Sequence, residues 1–139
     1  MKQSSTELTF QTSGSSLLDV TRPIKAWLQE QDVEQGLLTV FIRHTSASLT
    51  IQENADPDVL YDLNSFFKKL VPESERLYRH NAEGPDDMPA HIKSALTQTQ
   101  LTIPITNSDL VLGTWQGIYI FEHREHAHKR HLSLHLIGQ

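Results

Sequence analysis

The order of apolar and polar positions predicts strands that alternate with helices. Residues 6–12 alternate weakly and predict a first strand, which residues 13–16 (SGSS) end as a turn. Apolar residues then recur at helical spacing between residues 17 and 30, and Pro23 indicates that the helix itself begins near Thr21 or Arg22. The first thirty residues therefore predict one strand and one helix, with Trp27 in the core.

In the next predicted strand the apolar residues switch from even-numbered to odd-numbered positions. In residues 36–44 the apolar set is even-numbered, whereas after Thr45 it is odd-numbered: Leu38, Val40 and Ile42, then Ala47, Leu49 and Ile51. One uninterrupted strand would place these sets on opposite faces, so a bend, bulge or turn is predicted at residues 44–46. In the alternative interpretation both faces are buried in a sandwich, and the polar residues HTS only line a strand crossing.

The rest of the chain predicts two further helices and three strands. Asp56 as cap and Pro57 in the first turn predict a helix with an apolar stripe as far as Leu70. Residues 72–89 predict a long loop, which ends in a short helix capped by Asp86 or Asp87. Strands are predicted at residues 101–105, 117–121 and 131–137, and this strand-rich end indicates an antiparallel sheet or sandwich.

Composition narrows the function classes. A chain of 139 residues with 37% hydrophobic content predicts a single domain, residues 1–139. Its net charge of −5 argues against a nucleic-acid partner. It has no cysteine, so a metal would need His, Asp or Glu ligands. With neither a signal-like start nor a membrane-spanning run, we expect a soluble cytoplasmic protein without a membrane partner.

Many of the histidines and carboxylates lie in short, unusual sequence motifs. None of the common hydrolase, nucleotide-binding or HExxH metalloprotease motifs is present. Convergence of three histidines with a carboxylate would suit Zn²⁺ or another borderline metal, and without metal the same groups could bind phosphate or move a proton. The candidates are His44, His80 and His91 with Glu53 or Glu83. The helix start before His91 predicts an anion site that Lys93 or Arg79 could complete, unless it is simply a capped surface helix.

Three sequence motifs together resemble those of one known family, and the resemblance covers most of the chain. They are HTSASLTIQENADPDV from His44, HNAEGPDDMPAHIK from His80 and LGTWQGIYIFEHR from Leu112. In this combination and order they resemble the YjbQ-like family, uncharacterised protein family 0047. The resemblance implies an α+β fold: an antiparallel, jelly-roll-like β-sandwich with two or three flanking helices, assembled as a homotrimer.

The resemblance also implies an activity and a set of site residues. Members of the family are often labelled secondary thiamine-phosphate synthases for a weak activity, a reaction that joins a pyrimidine pyrophosphate to a thiazole phosphate and expels pyrophosphate. A divalent ion, Zn²⁺ or Mg²⁺, would neutralise the pyrophosphate, and His44 or His80 would assist proton transfer. The family pattern falls on His44, Thr45, Glu53, Asp62, His80, Glu83, His91, Lys93, residues 113–116 and Glu122.

These positions divide into predicted roles. We expect catalytic groups at His44, Glu53, His80 and His91, metal ligands at His44, His80 and His91, and contacts to a small phosphorylated metabolite at Thr45, Arg79, Glu83, Lys93, Gln116 and Glu122. Two alternatives stay open. The pocket could capture a phosphorylated metabolite or a metal without catalysis, or Trp115 and the GTWQ turn could shape a trimer interface in which Gln116 orients a neighbour's site residue.

Overall fold

Two antiparallel sheets and three helices make up the structure, a computed structural model that describes residues 1–139. In chain order the elements are β1 (Lys2–Gln11), β2 (Ser16–Asp19), α1 (Thr21–Gln29), β3 (Gly36–Ile42), β4 (Ala47–Glu53), α2 (Pro57–Leu70), α3 (Asp87–Leu96), β5 (Gln100–Thr106), β6 (Asp109–Leu110), β7 (Gln116–Glu122) and β8 (Lys129–Gly138). One sheet has the order β1-β8-β3-β5-β6 and the other β2-β7-β4. The predicted α+β sandwich with flanking helices is confirmed.

The predicted bend at residues 44–46 is the point where the chain changes sheets. Strand β3 ends at Ile42 in the five-stranded sheet, and β4 begins at Ala47 in the three-stranded sheet. Ile42 and Ala47 belong to the same buried core although their sequence phases differ. The phase change therefore keeps apolar side chains directed at one core from two different sheets.

The core comprises 18 buried hydrophobic residues. Strand β8 gives Leu132, Leu134 and Leu136, all fully buried, while His135 on its other face is exposed, as the alternation predicts. Helix α1 covers the core through Ile24 and Leu28 and begins at Thr21, as predicted. Trp27 is only half-buried, and it packs against this cluster rather than inside it.

Helix α2 begins as predicted but lies largely outside the core. The Asp56 side chain accepts a hydrogen bond of 2.9 Å from the Asp58 backbone N–H, and Pro57 is the first helical residue. No residue of α2 is buried, so its apolar stripe is only partly covered. The predicted loop after it is confirmed as far as Asp87, where α3 begins. None of the three helices has the length and apolar character that crossing a membrane requires.

Candidate metal centre

Four potential metal ligands meet where the long loop enters α3. His80 and Glu83 come from the loop, whereas Asp87 and His91 lie one helical turn apart on the same face of α3. One ligand atom from each of the four residues lies within 4.8 Å of all the others. The structure therefore brings together three residues predicted as site residues, His80, Glu83 and His91, and adds Asp87.

Asp87 lies at the middle of this group. Its Oδ2 is 2.5 Å from His80 Nε2 and 3.1 Å from His91 Nε2, and Glu83 Oε2 is 3.3 Å from His80 Nε2. The Asp87 side chain is only 2% exposed, whereas His80 and Glu83 face solvent. The centre thus has a buried carboxylate at its base and an open outer side.

A hydrogen bond to the backbone of Thr45 determines which nitrogen of the His91 ring carries the proton. His91 Nδ1 lies 2.8 Å from the carbonyl oxygen of Thr45. A carbonyl can only accept, so Nδ1 carries the proton, and in the neutral ring the Nε2 lone pair is directed at the Asp87 carboxylate. Two acceptors at this distance repel each other unless a proton or a cation lies between them. A ring nitrogen bonded to a backbone carbonyl is also the usual orientation of a metal-binding histidine.

The charges of the centre are mutually dependent. The hydrogen bond to Asp87 is the main reason that the pKa of His80 is raised above its ordinary value. Burial disfavours the ionised form of Asp87, but the hydrogen bond from His80 and the charge of Arg124 together hold the pKa of that carboxyl below its usual range. The site consequently offers an ionised carboxylate between the rings of His80 and His91.

Arg124 holds this carboxylate from behind. Its Nη1 is 2.7 Å from Asp87 Oδ1, its Nε donates to Asp86 Oδ2 at 2.9 Å, and its Nη2 donates to the Glu83 carbonyl oxygen at 3.0 Å. One oxygen of Asp87 is therefore engaged by Arg124, and the other is left for the histidines. Such outer contacts orient metal ligands.

The predicted capping role of Asp86 is wrong. Asp86 does occupy the N-cap position of α3, but its side chain makes no bond to the helix. Its Oδ2 instead accepts from Arg124 Nε and from the backbone N–H of Glu125, both at 2.9 Å. Burial opposes ionisation of Asp86, yet these two bonds lower its pKa. The Asp86 carboxylate therefore holds the residues that follow β7 against the start of α3.

His44 lies outside the four-residue group, beside it. Its Nε2 accepts a 2.8 Å hydrogen bond from the backbone N–H of His131, and the two imidazole rings stack with centroids 5.6 Å apart. Burial and the charge of Arg130 lower the pKa of His44. The ring lines an open groove of about 570 Å³ between the end of β3 and α3, which Thr45 and His91 also line.

The other predicted site residues are not members of the four-residue group. Glu53 and Gln116 are partners across β4 and β7, where Glu53 Oε2 accepts from Asp56 N–H at 3.3 Å and Gln116 Oε1 accepts from Gly113 N–H at 2.7 Å. They close local turns. Arg79 is exposed, and Lys93 is 4% exposed with a pKa lowered by burial.

Glu122 belongs to a buried ion pair. Its carboxylate accepts from Arg130 Nε at 2.8 Å, from Arg130 Nη2 at 2.5 Å and from the Thr12 hydroxyl at 2.6 Å. Burial opposes the charge of Glu122, but Arg130 and Thr12 lower its pKa. The backbone N–H of Arg124 also bonds this carboxylate, at 3.2 Å. Glu122 therefore supports the strand end from which Arg124 reaches the candidate ligand Asp87.

Asp87 and Arg124 were not predicted as site residues. The i, i+4 spacing of Asp87 and His91 was a usable signal, because it places both on one helix face, but helix-start aspartates are also typical caps. Arg124 offered no local signal, since its contacts to Asp86 and Asp87 depend entirely on the fold.

Comparison with known proteins identifies the family. The family model described as "UPF0047 protein YjbQ-like" matches residues 6–139. UPF0047 protein sll1880 of Synechocystis is 57% identical over 95% of this chain and 90% of its own length, and UPF0047 protein YjbQ of Escherichia coli O157:H7 is 46% identical over 77% of each. A crystal structure of an uncharacterised yjbq/upf0047 family protein from Clostridium acetobutylicum superposes with a TM-score of 0.86 at 36% identity, covering 95% of this chain and 99% of that one. The chain therefore belongs to the UPF0047, YjbQ-like family.

Proposed function

We propose that this protein binds a divalent metal ion through His80, Glu83, Asp87 and His91. The observation that carries the proposal is the bond from His91 Nδ1 to the Thr45 carbonyl, which leaves Nε2 directed at a carboxylate that a second histidine also contacts. A cation among these atoms replaces repulsion between acceptors with coordination. Two imidazoles and two carboxylates suit Zn²⁺ better than Mg²⁺, which prefers oxygen ligands alone.

Metal analysis of untagged protein tests this proposal. We expect calorimetric titration with zinc chloride to give one ion per chain and magnesium chloride to give much weaker binding. His91→Ala removes a ligand and should weaken zinc binding by more than the roughly 10–100-fold that loss of an outer partner costs. His135→Ala, at an exposed histidine of β8, is the matched control and should bind zinc like the parent protein. Equal zinc affinity in His80→Ala/His91→Ala and in the parent protein would contradict the proposal.

Thiamine-phosphate synthase activity at this centre is a second candidate, favoured by the groove that adjoins His91. A divalent ion beside that groove would offset the charge of the leaving pyrophosphate while the thiazole nitrogen forms the new bond to carbon. The assay measures thiamine phosphate formed by zinc- or magnesium-loaded protein. Unchanged turnover after His80→Ala/His91→Ala would remove the centre from the reaction. Metal binding without turnover would favour the non-catalytic alternative, capture of a metal or a phosphorylated metabolite.

We also propose that the chain assembles as a homotrimer. The supporting observation is a set of large hydrophobic side chains that are more than half exposed on α2, the loop after it and the GTWQ turn: Tyr61, Phe66, Leu70, Leu77 and Trp115. Surfaces of this kind are typical of contacts between subunits, and the number three comes from the family resemblance. Light scattering should give three times the chain mass of 15.8 kDa, and Phe66→Glu should lower it. A monomer mass for the parent protein would contradict the proposal.

A further inference from the structure

Strand β1 forms a long free edge of the five-stranded sheet. Its ten residues pair with β8 in one continuous register, and no strand lies on its other side. The other edges are shorter or interrupted: β6 has two residues, β2 has four, β4 is bridged to Gln98 and β5 contains Pro104. Proteins usually shorten or bulge an edge strand, or place proline in it, because its unpaired backbone can pair with another chain. Strand β1 has neither a proline nor a bulge.

The backbone groups that face this edge belong to the odd-numbered residues of β1. The Thr12 N–H, one residue beyond the strand, donates to the His128 carbonyl oxygen, so the even-numbered residues direct their backbone bonds at β8. The N–H and C=O groups of the odd-numbered residues therefore point away from the sheet. These residues are Gln3, Ser5, Glu7, Thr9 and Gln11.

The edge also leaves apolar surface partly uncovered. Leu8 and Phe10 pack against the core from β1, but both side chains stay half-exposed. The odd-numbered residues on the opposite face of the strand are polar and exposed. A further strand beside β1 would shield Leu8 and Phe10 and pair the free backbone groups at the same time.

A second copy of β1 fits this edge in one antiparallel register. Both copies present the backbone groups of odd-numbered residues, so odd-numbered residues must lie opposite odd-numbered ones. Of the registers that this allows, those centred on Thr6 or on Glu7 overlap most. The register centred on Glu7 brings two carboxylates together, and like charges directly opposite each other destabilise a strand pair. The register centred on Thr6 places Glu7 opposite Ser5 and pairs two threonines, which is a favourable cross-strand pair.

We infer that β1 pairs with β1 of a second copy about a two-fold axis at Thr6, so that the two five-stranded sheets become continuous. Residues 2–10 of each strand lie opposite residues 10–2 of the other. Phe10 then lies opposite Lys2 of the second copy, whose aliphatic stem covers the ring. The contact uses no residue of the proposed metal centre or of the hydrophobic surface proposed for the trimer. Because an edge contact of this kind is small, the pairing depends on protein concentration.

Cysteine cross-linking tests the register, because the chain has no cysteine of its own. Residues opposite each other at a position without backbone bonds have Cα atoms about 4.5 Å apart, which a disulfide can span. Thr6→Cys should therefore give a disulfide-linked dimer on a non-reducing denaturing gel after oxidation with copper phenanthroline. Ser4→Cys is the matched control, since Ser4 is half-buried on the same face as Thr6. Two Ser4 residues would lie about 13 Å apart in this register.

Proline substitution tests the backbone pairing. Ser5→Pro removes an N–H that points away from β8, so it blocks the contact without taking a bond from the sheet. Gln11→Pro is the matched control, because Gln11 also has an outward N–H but lies beyond the paired residues. Light scattering measures the mass of each protein as the concentration rises, and thermal unfolding verifies that each variant is folded.

We expect the mass of the parent protein and of Gln11→Pro to double with rising concentration, and that of Ser5→Pro to stay constant. Thr6→Cys should cross-link and Ser4→Cys should not, and adding Ser5→Pro to Thr6→Cys should prevent the cross-link. The inference is overturned if the mass of the parent protein does not double, if Ser5→Pro leaves the doubling intact, or if both cysteine variants cross-link equally. Since the readout is a doubling, it is the same for a monomer and a trimer at low concentration, and the trimer proposal stands or fails separately.

Discussion

The buried histidine at the end of β7 makes a measurable prediction about stability and pH. His123 follows Glu122 and is only 1% exposed, with Nε2 2.9 Å from the Ser48 hydroxyl and its ring 4.4 Å from that of Phe121. Its Nδ1 has no partner. Burial, and then the charge of Lys93, lower its pKa from 6.5 to about 3. The folded protein therefore keeps this imidazole neutral where an unfolded chain would protonate it.

The size of the effect follows from this pKa difference. Because the folded pKa lies below the unfolded one, falling pH protonates His123 first in the unfolded state. The stability that the neutral ring contributes is complete above pH 6.5, declines below it and is lost as the pH approaches 3. Each unit by which the pH falls between these limits lowers the free energy of unfolding by roughly 1.4 kcal/mol. At pH 4.5, about two units below the unfolded pKa, the loss is therefore about 3 kcal/mol.

Urea unfolding in EDTA at pH 7.5 and pH 4.5 measures this loss. His123→Gln keeps a polar contact for Ser48 but cannot be protonated, so its free energy of unfolding should fall by about 3 kcal/mol less than that of the parent protein. Asp86, Asp87 and Glu122 also destabilise the fold as they are protonated, but equally in both proteins. Exposed His135, changed to Gln, is the control. Equal losses in the parent protein and His123→Gln would refute the reasoning.

Three other substitutions test the contacts that hold the fold. Arg130→Met leaves the Glu122 carboxylate buried without its partner and should lower the free energy of unfolding by about 3–5 kcal/mol, with recovery on adding Glu122→Gln; no recovery would argue against an uncompensated charge. Gly36→Ala places a Cβ 2.2 Å from the Ile137 carbonyl oxygen, so urea unfolding should show that the free energy of unfolding falls by about 1–3 kcal/mol or more. Asp56→Ala removes the α2 cap and should cost about 1 kcal/mol, so an unchanged urea midpoint would show that the cap is dispensable.

The sequence predicts those helices, strands and turns that are marked by the pattern of their own residues. The phase change at residues 44–46 located the passage between sheets, and the Asp56-Pro57 pair located the start of α2. Two strands were missed, β2 and β6. Strand β2 is four residues long and is defined by pairing with β7, a partner about a hundred residues away, while β6 has only two residues. Elements whose existence depends on a distant partner leave little pattern in their own residues.

The candidate metal centre likewise combines residues that the sequence can indicate with residues that only the fold brings together. His80, Glu83 and His91 were predicted as site residues because their residue types favour metal or acid-base chemistry. For Asp87 the sequence favours a helix cap, since an aspartate at a helix start serves either role. Which role it takes depends on Arg124, which engages Asp86 and Asp87 from the end of β7. That contact becomes visible only when the strand and the helix are placed together.

Two residues, Glu122 at the end of β7 and Arg124 just after it, connect the core to the candidate centre. Glu122 is fixed by Arg130 on β8, and its second oxygen accepts the backbone N–H of Arg124. Arg124 in turn holds Asp86 and one oxygen of Asp87, so the orientation of the central carboxylate is determined by a rigid sheet rather than by the exposed loop. The loop contributes only His80 and Glu83, the two outer groups. In the proposed metal centre this arrangement would keep the buried base in place while the outer side stays open to solvent, which a site with a free coordination position needs and a closed structural site does not.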